Sequence, residues 1–166
     1  MTAPLFSGRG RRSVAALGAV SAGLLVLSAC DKPTPLATVT VGSTSVTTEA
    51  GADCRDAAEL ASLEKVQQCI TEPTDPKNID YTRGDTLRMG VEPEMVEDGK
   101  KWSAFLDGQP ITDTSTNTYK SFPNVDIFGT GGQGGQAPPS KVLSIMQFND
   151  EGKPASIWSF KLNVKS

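Results

Sequence analysis

Hydrophobic and polar positions fall into three regimes along the chain. Ser13 to Leu27 is an apolar stretch built mainly from Val, Ala, Leu and Gly. Between Cys54 and Cys69 the apolar positions recur every three residues, at Leu60, Leu63 and Val66, with Cys69 continuing the row. Ala57, Ala58 and Ala61 favour helix there, and Asp53 or Asp56 is placed to cap it. Nearly everywhere else the period is two. Val39 and Val41 alternate with Thr38 and Thr40, Val46 sits within Thr44 to Thr48, and Gly42-Ser43 separates the two runs. This reads as two strands with a tight turn, or as one kinked strand with a bulge at Gly42.

The alternation continues downstream. Ile79 and Tyr81 precede a turn at Arg83-Gly84-Asp85. Leu87, Met89 and Val91 share one face and Arg88 the other; Trp102, Ala104 and Leu106 make the next face, closed by Asp107-Gly108. Asn117 to Phe122 reads as an edge strand, and Lys141 to Phe148 as a strongly apolar one. Ile157 to Val164 turns Trp158, Phe160, Leu162 and Val164 inward and Ser159, Lys161, Asn163 and Lys165 outward. The segment Asn149 to Pro154 joins these two as a hairpin loop, while Pro73 and Pro76 mark Thr71 to Lys77 as a loop. Many short strands and a single helical segment predict a mainly β, antiparallel, immunoglobulin-like sandwich with one short disulfide-clipped helix.

The first thirty residues belong to a different category. Arg9, Arg11 and Arg12 precede the apolar stretch with no acidic residue nearby, and Leu27-Ser28-Ala29-Cys30 closes it. Positive charge, apolar core and small residues, in that order, mark a signal-peptide helix. The uncharged run is near the lower limit of about 17 residues for a spanning helix, and polar Asp31-Lys32-Pro33 follows at once. Arg11-Arg12-Ser13-Val14 reads either as an ordinary positive n-region or as a loose twin-arginine signal. The predicted organisation is a signal peptide over residues 1–29, a tether over 30–35 stiffened by Pro33 and Pro35, and an extracytoplasmic domain over 36–166.

Composition then narrows the chemistry. Residues 1–29 carry three arginines and no acid, so their removal takes the net charge from −3 to −6. That disfavours nucleic acid and supplies no basic patch for an anionic membrane. An exported chain meets an oxidising compartment, where Cys54 and Cys69 are expected to pair; a loop of that length is worth about 3 kcal/mol. There is no histidine. That excludes Ser-His-Asp and Cys-His catalysis, and metal or haem ligation through His. Carboxylates, Lys and Tyr remain.

Several segments merit weighing as sites. Gly129, Thr130, Gly131 and Gly132 open a glycine-rich stretch to Gln136 that is either a binding loop or a plain flexible connection. It lacks the Gly-Lys-(Ser/Thr) of a phosphate loop. Glu92, Glu94, Glu97 and Asp98 form an acidic cluster without a calcium-loop pattern, read as a solvated loop. Paired with Asp107 or Asp113 they could supply the two carboxylates of a glycan hydrolase. Trp102 and Trp158 fall on core faces, and become a carbohydrate or peptide platform only if exposed. No cofactor or metal site is expected.

Leu27-Ser28-Ala29-Cys30 resembles the bacterial lipobox, Leu-(Ala/Ser)-(Gly/Ala)-Cys. The resemblance implies a diacylglycerol on Cys30, which becomes the first mature residue and anchors the protein at the outer face of the cytoplasmic membrane. Nearly all of the mature chain resembles a family of actinobacterial lipoproteins of unknown function. The residues carrying this are Cys30 to Leu36, Thr38 to Gly42, Gly84 to Arg88 and Ile157 to Leu162. It implies a location and a domain, not an activity. Gly84-Asp85-Thr86-Leu87 and Gly129-Thr130-Gly131-Gly132 are also similar to chagasin-type protease inhibitors. Their Asn-Pro-Thr-Thr-Gly and Arg-Pro-Trp loops are missing, with Glu92-Pro93-Glu94-Met95 roughly where the first should sit. The sequence therefore predicts a non-catalytic binding or scaffolding module, with an envelope protein or glycan as partner. A chagasin-like inhibitor and a carboxylate-dependent glycan hydrolase are the alternatives.

Overall fold

Alternation translates directly into strands wherever one face is buried. The computed structural model describes residues 34–55, 57–123, 127 and 138–165. The expected signal-peptide helix, Cys30 and Gly129–Gly132 lie outside these residues. Nine strands are described: β1 (Leu36–Val41), β2 (Thr44–Glu49), β3 (Lys77–Tyr81), β4 (Leu87–Val91), β5 (Lys101–Leu106), β6 (Gln109–Pro110), β7 (Tyr119–Phe122), β8 (Ser140–Phe148) and β9 (Pro154–Val164). They form two sheets, ordered β2-β1-β4-β7 and β3-β9-β8-β5-β6. The inner faces pack on each other: Val39, Leu87 and Met89 of the first sheet share one core with Trp102, Trp158 and Phe160 of the second. This is the expected immunoglobulin-like sandwich architecture.

Two strands and a tight turn at Gly42-Ser43 are what the N-terminal Val/Thr repeat forms, with Val41 opposite Thr44 and Gly42 at φ +57°. β7 is the predicted edge strand. The five-stranded sheet departs from the antiparallel expectation at one place: β3 runs parallel to β9, Lys77 opposite Phe160 and Tyr81 opposite Val164. No hairpin connects these strands, so turn geometry does not dictate their direction. Val164, expected to face inward, is 40% exposed because it sits on the terminal rung of that pair.

The segment from Cys54 to Cys69 is not one helix. A 3-10 turn (Ala52–Cys54), a second (Glu59–Ala61) and helix α1 (Leu63–Thr71) share it. Asp53 lies inside the first turn rather than at a cap, Asp56 is outside the described residues, and Ser62 precedes α1 without a side-chain capping bond. The three-residue row breaks at that junction. Leu60 and Cys69 are buried, whereas Leu63, on the first turn of α1, is 88% exposed. The disulfide itself forms as expected, joining Cys54 to Cys69 with Cα atoms 6.0 Å apart. It clips the first 3-10 turn to the helix rather than closing both ends of a helix.

α1 covers the outer face of the five-stranded sheet. Leu60, Cys69 and Ile70 pack with Met146 and Ile157 in a second, smaller core. The sheet's serines bond to late carbonyls of α1. Ser144 Oγ donates to Ile70 O (3.3 Å), and Ser159 Oγ to Cys69 O (3.4 Å). These are acceptors a helix end leaves unpaired. The β5–β6 turn also meets α1. Gly108 has φ +78°, and a Cβ there would lie 2.9 Å from Thr71 Cγ2. Gly84, at φ +90°, faces open space. We expect Gly108→Ala to cost more than the ~1–2 kcal/mol of left-handed strain alone, and Gly84→Ala to show only that strain. Urea titration of both variants checks this; equal losses would remove the steric contribution.

Candidate functional site

Strand β2 is one edge of the four-stranded sheet and β3 one edge of the other. The sandwich is therefore open along the side where they meet. At the end where β1 begins, this opening widens into a groove of about 630 Å³. Leu36, Ala50 and Cys54 give it apolar walls, and Glu49, Asp53 and Lys77 a charged rim. Sequence order explains the walls. The disulfide holds the 3-10 turn on one side, and the loop with Pro73 borders the other. The volume suits a small molecule or a short segment of a larger one. The spacing of residues does not reveal this groove, because its walls come from segments far apart in sequence.

A second surface lies on the outer face of the four-stranded sheet. The threonines that alternate with Val39 and Val41 point outward and pair across β1 and β2. Thr38 Oγ1 lies 2.8 Å from Thr47 Oγ1, and Thr40 Oγ1 2.7 Å from Ser45 Oγ. On β4, Gly90 stands opposite Tyr119 of β7, which is 53% exposed. Residues directly opposite share a face, so Tyr119 and the hydroxyls lie on one surface with Arg88. Arg88 Nη1 donates to Gly42 O (3.1 Å). The Thr-x-Thr alternation is the sequence signal for this face; Tyr119 joins it only through the pairing of β7 with β4, which its own sequence neighbourhood does not reveal.

The two tryptophans pack in the core, as their strand positions predict, and offer no binding platform. Trp102 and Trp158 are fully buried. Their indoles donate inward, Trp102 Nε1 to Asn117 O (2.6 Å) and Trp158 Nε1 to Pro35 O (2.9 Å). Arg83-Gly84-Asp85 is a turn, as read, with Asp85 N donating to Thr82 O (3.0 Å) and Asp85 Oδ2 accepting from Thr82 N (3.2 Å).

The acidic residues are dispersed. Glu92 Oε2 accepts from Leu36 N (2.9 Å). Asp107 Oδ1 accepts from Val142 N (2.8 Å), and its Oδ2 lies 3.4 Å from Lys141 Nζ. Glu92 follows β4 at the β1 entry end and Asp107 follows β5 toward the other, so these two are not brought together. Asp113 contributes its carbonyl oxygen, which accepts from Lys120 Nζ (3.0 Å). Among the described residues no group of three or more metal-ligating side chains converges. In the β8–β9 loop, Lys153 Nζ lies 2.7 Å from Glu151. Its hydrogen bond and charge hold the Glu151 carboxyl below its ordinary pKa and raise that of Lys153.

No family model matches the chain, and no curated protein matches it. Among solved structures it is similar to the fibronectin(III)-like modules of Clostridium thermocellum CbhA. That match has 13% identity and a TM-score of 0.37, over 55% of this chain and 91% of that one. It is also similar to the extracellular domain of the B. thetaiotaomicron protein BT4673. Two structures of that domain give TM-scores of 0.43 and 0.41 at 11% and 10% identity, over 82% of this chain and 16% of theirs.

Proposed function

We propose that this protein is a lipid-anchored, extracytoplasmic, non-catalytic binding or scaffolding module of the cell envelope. The observation that carries the reading is Leu27-Ser28-Ala29-Cys30 at the end of the apolar stretch, six positions before β1 begins. Two acyl chains suffice for stable anchoring, whereas one is marginal. The Cys54–Cys69 disulfide supports export, because such bonds persist in oxidising compartments. The groove beside Leu36 and the hydroxyl face with Tyr119 are the surfaces offered for binding.

Cys30→Ser should abolish lipidation and leave the signal uncleaved or the protein released. Fractionation with metabolic fatty-acid labelling reads this directly, and a correctly processed, membrane-retained Cys30→Ser protein would refute the anchor. The binding role is tested by in-cell crosslinking of the anchored protein and mass spectrometry of its adducts. One dominant protein or glycan partner, lost on substitution of Tyr119 or of the groove rim, is the expected result. Robust turnover of a cell-wall substrate by the purified protein would overturn the non-catalytic reading.

A further inference from the structure

The last strand of a sheet leaves a row of backbone groups without a neighbour, and folded proteins guard such edges by shortness, proline, charge or a bulge. The sandwich has β2 and β7 at the edges of one sheet and β3 and β6 at those of the other. β6 is two residues long and includes Pro110. β3 carries Lys77 and Asp80, and β7 is four residues long with Lys120 in it. β2 differs from all of these. It runs six residues without proline, cation or register shift, and its only charge is Glu49 at the end.

Hydrogen-bond parity shows which groups of β2 are on offer. Gly42 N donates to Thr86 O (3.2 Å) and Glu92 N to Leu36 O (3.3 Å), so the even-numbered positions along β1 bond toward β4. The odd-numbered ones, Ala37, Val39 and Val41, bond toward β2, where they stand opposite Thr48, Val46 and Thr44. The backbone N–H and C=O groups of Ser45, Thr47 and Glu49 therefore point away from the sheet. No strand among the described residues pairs with them. Glu49 O accepts from the Thr48 hydroxyl (3.1 Å), which leaves its second lone pair for an outside donor.

The same alternation sets what an added strand would meet. Its side chains opposite Val46 and Thr48 would face inward. Val46 packs against the main core, and Thr48 lines the groove together with Leu36, Ala50 and Cys54. An apolar side chain has a place there. The rim beside it is acidic, with Glu49, Asp53 and Asp75. Asp75 is matched by Lys77, whose Nζ lies 3.0 Å away. Glu49 and Asp53 are exposed and have no cationic partner among the described residues.

We propose that β2 is a docking edge for an extended peptide segment of a partner protein. The segment adds to the four-stranded sheet beside Ser45, Thr47 and Glu49, places an apolar side chain in the groove, and sets a Lys or Arg against Glu49 and Asp53. Main-chain bonds supply the affinity, and the groove and its rim supply the choice of partner. A second copy of this chain is the poorer occupant, because it brings the same unmatched carboxylates and a net charge of −3. The proposal deepens the binding role given above and rests on it.

Thr47→Pro blocks this edge without removing a bond to β1, since the Thr47 N–H points outward and edge strands accept proline there. Random peptides displayed on phage would be selected against the full processed protein, and the enriched ones synthesised. They should be rich in β-branched residues, carry Lys or Arg, and shift the amide resonances of Ser45, Thr47 and Glu49. Thr47→Pro should weaken them about tenfold or more, the worth of a main-chain hydrogen bond. Thr38→Val breaks the same hydroxyl pair with Thr47 but keeps the edge amide, and should weaken them far less. The double variant Glu49→Gln/Asp53→Asn should lower affinity at low salt and have little effect in molar salt, where charges are screened beyond about 3 Å. N-methylation of alternate peptide amides repeats the test on the unaltered chain if Thr47→Pro does not fold. Enrichment of no peptide, or of peptides indifferent to both Thr47→Pro and N-methylation, overturns the docking edge. Peptides that shift Tyr119 instead overturn it too, and leave the binding role standing. Dimerisation that Thr47→Pro abolishes assigns the edge to a second copy and overturns the peptide reading. In-cell crosslinking that captures no partner overturns the binding role itself, and the docking edge with it.

Discussion

Trp158→Ala should lower the free energy of unfolding by about 3–5 kcal/mol, the range for removing a buried tryptophan. Trp158 lies midway along β9, wholly enclosed between the sheets. Its substitution leaves a cavity in the core that it shares with Val39, Met89 and Ile145. It also removes the donor to Pro35 O, which fixes the chain just before β1. Against a total of about 5–15 kcal/mol for a domain, this loss leaves little margin at 37 °C. Trp158→Phe separates the two contributions. It keeps most of the buried surface and loses the hydrogen bond, so the expected cost is nearer 1–2 kcal/mol. Chemical denaturation followed through Trp102, also buried, measures both variants. A loss below about 1 kcal/mol for the alanine variant would mean that the core around β9 is not packed as described.

Removing the Cys54–Cys69 bond should have the next largest effect, about 3 kcal/mol for a separation of 15 residues. For a domain of this size that corresponds to a fall in Tm of roughly 10 °C. The double variant Cys54→Ser/Cys69→Ser avoids leaving a single reactive thiol and is the form to measure. The effect should be local as well as global. The bond holds the 3-10 turn that forms one wall of the groove, while α1 stays on the sheet through Ile70 and the Ser144 and Ser159 contacts. Amide exchange should therefore accelerate first at residues 51–55 and later, if at all, in β8 and β9. Uniform acceleration across the domain would show that the bond braces the whole fold rather than that wall.

The strands were legible in the sequence because most have one buried and one solvated face, which imposes alternation. β4 is an example: Leu87, Met89 and Val91 are buried while Arg88 and Gly90 are not. β8 and β9 are less simple, because their sheet is covered on both faces. Met146 and Ile157 break the expected parity, since α1 packs on the side that alternation assigns to water. Alternation alone assigns no partner to that side, so the second core is not legible from it. The helix was misplaced for a related reason. Alanines and three-residue spacing indicate helix anywhere from 57 to 69, but a disulfide with Cα atoms 6.0 Å apart requires the chain to fold back between its cysteines. The groove was invisible because Leu36, Glu49, Asp53 and Lys77 meet only once the two free edges lie side by side. The parallel direction of β3 was equally hidden, since it follows from a pairing between segments about eighty residues apart.

That late pairing also sets the order in which the molecule can close. Among the described residues, β9 is the only strand partner of β3, one of two partners of β8, and a contributor of buried side chains to both cores. Until residues 154–164 are present, β3 has nothing to bond to, neither core is filled, and Pro35 lacks its donor. Early, self-sufficient folding of the N-terminal half is therefore not open to this chain; contacts of long sequence separation come last and come together. A polypeptide built this way stays threadable for nearly its whole length. It stays open to proteolysis until β9 is in place, and becomes protease-resistant in a single late step.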